Sequence, residues 1–208
     1  MYQLFLKHLH KKPWNKGKLM GPKPPLTTQE IWSIRIRLHN EGQVRDLALF
    51  NLAIDSKLRA NDLLKIRVAD ISSGGQVNSR ATISQQKTGR PVRFEITART
   101  RISIEKLIEA GRLTSSNFLF QSRLHGSPHL SLRQYSRIVE SWASEAGIDP
   151  ALYGTHSLRR TKATLIYRRT KNLRAVQLLL GHSKLDSTVK YLGIDIDDAL
   201  EISEKIDV

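Results

Sequence analysis

Residues 155–192 read THSLRRTKATLIYRRTKNLRAVQLLLGHSKLDSTVKYL, with apolar positions at helical spacing over about 157 to 169, 172 to 180 and 184 to 191. Gly181 stops the middle helix, and a tight turn through His182 and Ser183 starts the next. At the head of the stretch stands His156-Ser157-Leu158-Arg159. On a first helical turn, side chains three apart project to one side, so this imidazole and guanidinium can reach one phosphate. Arginine suits that work because its planar fork gives two parallel hydrogen bonds and keeps its charge. Tyr191 follows His182 by nine residues, which brings it back near the imidazole two helical turns later. Taken singly, each match is weak: a lone tyrosine is most often a packing residue with a wet hydroxyl.

Toward the N-terminus, Thr27 three residues before Glu30 matches a capping box for a helix carrying Ile31, Ile34, Ile36 and Leu38. A second helix is expected over residues 45 to 53, and a third near Arg59. The period then changes to two: Ala81 and Ile83, then Val92, Phe94 and Ile96, alternate with polar residues around Lys87-Thr88-Gly89-Arg90-Pro91. This predicts a β-hairpin with a basic tip. Helical patterns resume over about 98 to 110. After the turn at 124–128 they cover 131 to 146, where Ser131 can cap and Tyr135, Ile138, Trp142 and Ala146 share a face. The expected fold is mainly α with a small antiparallel β-sheet.

The chain of 208 residues carries a net charge of +15, which points to a polyanionic partner, with nucleic acid first. Six lysines and no acid fall in residues 1 to 25, whose prolines and glycines predict a flexible basic arm. Residues 193 to 208 hold six acids and one lysine, on what reads as a short amphipathic helix. With +6 before and −5 after, +14 of the net charge falls on the body between, expected to be one domain over residues 26 to 192. Without cysteine there is no disulfide, thiolate nucleophile or cysteine-held zinc. No apolar run approaches the roughly 20 residues of a membrane span, and a cytoplasmic, nucleoid-associated protein is expected. Neither a glycine-rich phosphate loop nor carboxylates at metal-ligand spacing are present, so no cofactor and no metal are expected. Phosphodiester chemistry here would rest on arginine and lysine for charge and on a side chain for the nucleophile.

The ordered set resembles the catalytic domain of tyrosine recombinases, the phage integrase family, over residues 27 to 192. Arg59 looks like the family's first arginine, Lys87 like its β-hairpin lysine, His156 and Arg159 like its His-x-x-Arg pair, His182 like its second histidine, and Tyr191 like its nucleophile. The resemblance implies the family's DNA breaking-and-rejoining fold and a site-specific recombinase that cuts and rejoins double-stranded DNA through a 3′-phosphotyrosyl intermediate. It implies that Arg59 and Arg159 hold the scissile phosphate, His156 accepts the phenol proton, Lys87 protonates the departing 5′ hydroxyl and His182 hydrogen-bonds the phosphate. A homo-oligomer on DNA, a tetramer, and an accessory DNA-bending protein are the further expected partners. In the family a tail such as 193–208 often docks on a neighbouring protomer; packing on its own domain is the alternative.

Two stretches depart from the family pattern. Arg160 stands where a histidine commonly follows the second arginine, and Asp55-Ser56-Lys57 replaces a Thr-Gly type run. The short, single-domain members are the nearest in kind. The rival is a non-catalytic, sequence-specific DNA-binding protein, because residues 173 to 191 also scan as helix, glycine turn, helix. Type IB topoisomerases and hairpin resolvases share the chemistry and stay open.

Overall fold

The computed structural model describes residues 23–122, 127–194, 200, 203 and 204. The expected basic arm through residue 22, most of the turn at 124–128 and most of the expected tail helix lie outside them. The described chain is mainly helical. Its elements run α1 (Thr28–Asn40), α2 (Val44–Ser56), α3 (Ala60–Leu64), α4 (Val68–Ile71), β1 (Ser72–Ser73), β2 (Gln76–Val77), β3 (Arg80–Ser84), β4 (Pro91–Glu95), α5 (Ala98–Gly111), α6 (Leu132–Glu145), α7 (Thr155–Thr170), α8 (Leu173–Leu180) and α9 (Leu185–Leu192).

Local chemistry sets the ends of these elements. Thr27 Oγ1 accepts from the Glu30 backbone N–H and Glu30 Oε2 accepts from that of Thr27, the reciprocal box that starts α1. Ser131 Oγ caps α6 by accepting from Gln134 N–H at 3.2 Å. Ile31, Ile34 and Leu38 face the core, while Ile36, assigned to the same helix by its pattern, is 54% exposed. At the centre lies α2, four residues longer than expected, with positions 48 to 56 all buried because α1, α5 and α7 pack around it. Phe50 meets Trp142 edge to face at 5.4 Å in this core.

The hairpin forms as its alternation requires, Ala81 opposite Phe94 and Ile83 opposite Val92. The small sheet is nonetheless two separate antiparallel pairs, because β1 and β2 pair only with each other across Gly74-Gly75. A second, smaller apolar cluster of Ala163, Tyr167, Val176 and Leu180 joins α7 to α8. The ring of Tyr191 and Leu192 of α9 lean against it. No helix among the described residues is long and apolar enough to cross a membrane.

Beneath the junction of α2, β4 and α7 lies a buried ionic group. Lys57 ends α2 in the left-handed region, φ 55°, and its fully buried ammonium donates to both Glu95 carboxylate oxygens at 2.8 and 3.0 Å. Lys162 bridges Asp55 and Glu95 at 2.7 Å each, and Asp55 also accepts from Thr97 and Thr100. Lysine takes this left-handed position, and its side chain completes the charge network. The network fixes the residues just before Arg59 against the helix that carries Arg159.

Candidate active site

Arg159 leaves the second turn of α7 and is 3% exposed. Its Nη2 donates to the Leu180 carbonyl at 2.9 Å, while Nε and Nη1 have no partner. Burial lowers its pKa first; Tyr191 and Asp62 favour its charge, and Arg59 opposes it. A buried guanidinium with two unsatisfied donors is costly, and an anion with two oxygens would match the free donors. One turn earlier His156 is exposed, yet crowding by protein atoms and then Arg159, Arg160 and Arg59 lower its pKa, so the imidazole is neutral at neutral pH. Both residues sit at the positive end of a 16-residue helix.

Arg59 is the N-cap residue of α3, with extended backbone, and its Nη1 donates to Gln85 Oε1 at 2.6 Å. Gln85, 1% exposed, opens the β3–β4 turn and also accepts from Thr88 Oγ1 at 3.0 Å; its Nε2 donates to the Leu180 carbonyl at 3.4 Å. That carbonyl is the one Arg159 uses, so one amide ties both arginines and the hairpin base to the end of α8. Gly181 makes the tie geometrically feasible. Its φ is +67°, and a Cβ there would lie 2.5 Å from Val92 Cγ2 and 3.1 Å from Gln85 Nε2. Asp62, 4% exposed, holds the Gln86 N–H at 2.9 Å and faces the same cations.

His182 follows the glycine, and its Nδ1 lies 3.1 Å from Oγ1 of Thr188, a fully buried residue. Either ring tautomer fits this contact, with the hydroxyl donating to Nδ1 or accepting from it. Burial, then Arg159 and Arg59, push the His182 pKa down to about 4. Tyr191 meets His182 edge to face at 5.4 Å, and its ring lies 5.8 Å from the Arg159 guanidinium carbon and 4.8 Å from that of Arg160. The Tyr191 hydroxyl is buried without a hydrogen-bond partner. Burial raises its pKa, and Arg159 and Arg160 partly counter that.

Arg59, His156, Arg159, His182 and Tyr191 therefore share one locus. Lys87 does not join them: it stands exposed in the β3–β4 turn, two residues past Gln85, with no hydrogen bond or ion pair among the described residues. Gln85, Asp62 and Thr188 were not marked by the sequence patterns. Only the three-residue offset of Asp62 from Arg59, a helical neighbour of the kind that placed His156 beside Arg159, carried a signal for any of them.

A mainly helical domain with a hairpin arm gathers two arginines, two imidazoles and a buried phenol, a set of groups able to hold an anion such as a phosphate beside a side-chain hydroxyl. The chain belongs to the phage integrase family, whose model matches residues 25–196. It is 29% identical over 174 residues to the probable integrase/recombinase YoeC of Bacillus subtilis (strain 168), covering 84% of this chain and 91% of that protein. It is also 29% identical over 164 residues to the tyrosine recombinase XerH of Campylobacter jejuni, covering 78% of this chain but 45% of that one. The chain thus spans about half the length of the Xer recombinases it matches. Its fold is that of tyrosine recombinase catalytic domains: a crystal structure of XerH site-specific recombinase bound to difH substrate, a pre-cleavage complex, superposes with a TM-score of 0.70. That likeness has 20% identity and covers 89% of this chain and 55% of the other.

Proposed function

We infer that this chain is a tyrosine-type site-specific recombinase, cutting and rejoining double-stranded DNA through a 3′-phosphotyrosyl link. The observation that carries it is the Tyr191 hydroxyl, buried and unpartnered beside an Arg159 fork with two unpartnered nitrogens. In a protein of net charge +15, the anion such a fork best fits is a backbone phosphate.

Each residue takes a role that its surroundings support. Arg59 and Arg159 hold the non-bridging oxygens and stabilise the charge that builds as phosphorus becomes pentacoordinate. The Tyr191 oxygen attacks phosphorus, the new O–P bond forms as the P–O5′ bond breaks, and neutral His156 takes the phenol proton. His182, kept neutral by a pKa pushed down to about 4, gives the phosphate a hydrogen bond without adding charge. Lys87, free on its turn, closes over the duplex and gives a proton to the departing 5′ oxygen. Rejoining reverses these steps with a new 5′ hydroxyl, so the bond energy is kept in the phosphotyrosine. On DNA the protein works as a homo-oligomer, and an accessory DNA-bending protein assists it.

The test uses a pool of nicked duplexes cut from DNA flanking the reading frame, followed by a denaturing gel. The wild-type chain becomes covalently attached to DNA and Tyr191→Phe does not. An adduct persisting in the Phe variant would falsify the assignment of the nucleophile.

A further inference from the structure

Arg160 occupies a place that the reaction as described leaves idle. The residue is 7% exposed, and its surroundings are unusual for a buried cation: among the described residues no carboxylate pairs with it and its Nε has no partner, while its Nη1 donates to the Lys23 carbonyl at 3.0 Å. Its guanidinium carbon lies 4.8 Å from the centroid of the Tyr191 ring, a full ångström nearer than that of Arg159. Lys23 is itself fastened, donating to the Tyr153 carbonyl at 2.6 Å, and three residues on the Leu26 N–H donates to Thr161 Oγ1 at 3.0 Å. The guanidinium is thus backed by the segment leading into α1 and faces the phenol ring. Apart from the lean of Tyr191 and Leu192 on the small apolar cluster, the helix carrying that ring is shallowly set, since Thr188 is its one buried residue.

We propose that Arg160 is the positioning residue that seats Tyr191, its guanidinium gripping the ring face from α7 while the Lys23 carbonyl fixes the guanidinium from behind. Cation and ring attract because the face of an aromatic ring is electron-rich, and the attraction grows where water is excluded. Four charged or titratable groups meet at the phenol: Arg159 and Arg160 from α7, His182 from the α8–α9 turn, and Tyr191 itself. Arg59 acts on Arg159 and His182, and Asp62 on Arg159. Arg159 spends Nη2 on the Leu180 carbonyl and stands a full ångström farther from the ring, so the closer grip falls to its neighbour. The role rests on Tyr191 being the nucleophile, but the seat of the ring can be measured without any reaction.

The experiment compares Arg160→Gln, which keeps a donor for the Lys23 carbonyl but no charge, with Arg160→Lys, which keeps charge. Hydroxyl-radical footprinting of the full chain reads exposure of the Tyr191 ring directly, with buried Tyr135 as internal reference. Loss of one cation–π contact should make Tyr191 oxidise on the order of three to ten times faster in the Gln variant, while the Lys variant stays near wild type. Adduct formation on the nicked duplexes should slow by a similar factor in the Gln variant, with DNA affinity and the footprint of Tyr135 unchanged. Equal oxidation of Tyr191 in wild type and both variants overturns the proposal, as does equal acceleration in both, which would make Arg160 a mere packing residue. Tyr191→Phe is run alongside. An adduct there defeats the nucleophile assignment, whereas adduct loss there with full wild-type rate and footprint in Arg160→Gln defeats only the role of Arg160.

Discussion

Arg59 and Gln85 are joined by a 2.6 Å hydrogen bond, guanidinium to amide oxygen, across 26 residues of chain. The same amide reaches Thr88 Oγ1 and the Leu180 carbonyl, so the bond links a helix start, a hairpin turn and a helix end. A hydrogen bond to a charged group contributes about 1.5–3 kcal/mol.

Replacing Gln85 by Ala should therefore cost about 2 kcal/mol of stability and slow adduct formation more than it weakens DNA binding. Urea unfolding and single-turnover cleavage, measured on one preparation, check both halves. A variant that binds DNA poorly but cleaves at the normal rate once bound would deny Gln85 its place in arranging Arg59.

Gly181→Ala meets two obstacles, a φ of +67° and a Val92 methyl 2.5 Å from the new carbon. We expect a loss of about 1–3 kcal/mol, lowering Tm by about 2–4 °C for each kcal/mol in a chain of this size. Val92→Ala removes the methyl but leaves the strained backbone, so the double variant should be more stable than the sum of the single changes requires. Strict additivity would show that the two side chains do not meet.

Acid should weaken the fold in a window set by the histidines. His182 has its folded pKa pushed down to about 4, below the ordinary value of 6.5. The unfolded chain then takes up that proton first, so the contribution is complete above pH 6.5 and is lost as the pH falls through 4. Exposed His156, also lowered, acts in the same direction, and Asp55 and Glu95, both held below their ordinary values, add a further loss at lower pH. Urea midpoints measured from pH 7.5 to 4 should fall, and His182→Gln should flatten the upper part of that fall. A slope identical to wild type would place the titration elsewhere.

Lys87→Ala should slow cleavage by about 10² or more if the lysine is the general acid. A duplex with sulfur in place of the bridging 5′ oxygen supplies a thiolate leaving group, ordinary pKa about 8.5, that departs without a proton. This substrate should restore the Lys87 variant and leave Tyr191→Phe inactive. Failure of sulfur to restore it would move Lys87 from proton donor to simple phosphate contact.

What the sequence made readable was what local spacing can carry. The Thr27–Glu30 box, the alternation around residues 81 to 96, the offset of His156 and Arg159, and the glycine stop before His182 each act within a few residues. Gln85 was silent because two of its partners, Arg59 and Leu180, lie 26 and 95 residues away, and a buried glutamine in a turn looks like any polar turn residue until the fold closes over it. Lys57 was legible as a departure from the family but not as a left-handed residue bound to Glu95. The short helix α4 and the β1–β2 pair, four and two residues per element, are too brief for any period to show. Ile36 kept an apolar identity on an exposed helix face, which pattern alone could not separate from the core.

Two glycines at φ 67° and 72° bracket α9, and Thr188 is its sole buried residue. The arginines ride on or beside α7, whose positions 157 to 161 are sunk in the domain, whereas the phenol rides on an eight-residue cylinder with a pivot at each end. Amide hydrogens of α9 should accordingly swap with deuterium well before those of α2. On the mechanism proposed above, such a helix would let the phenol be withdrawn while the arginine cradle stays assembled.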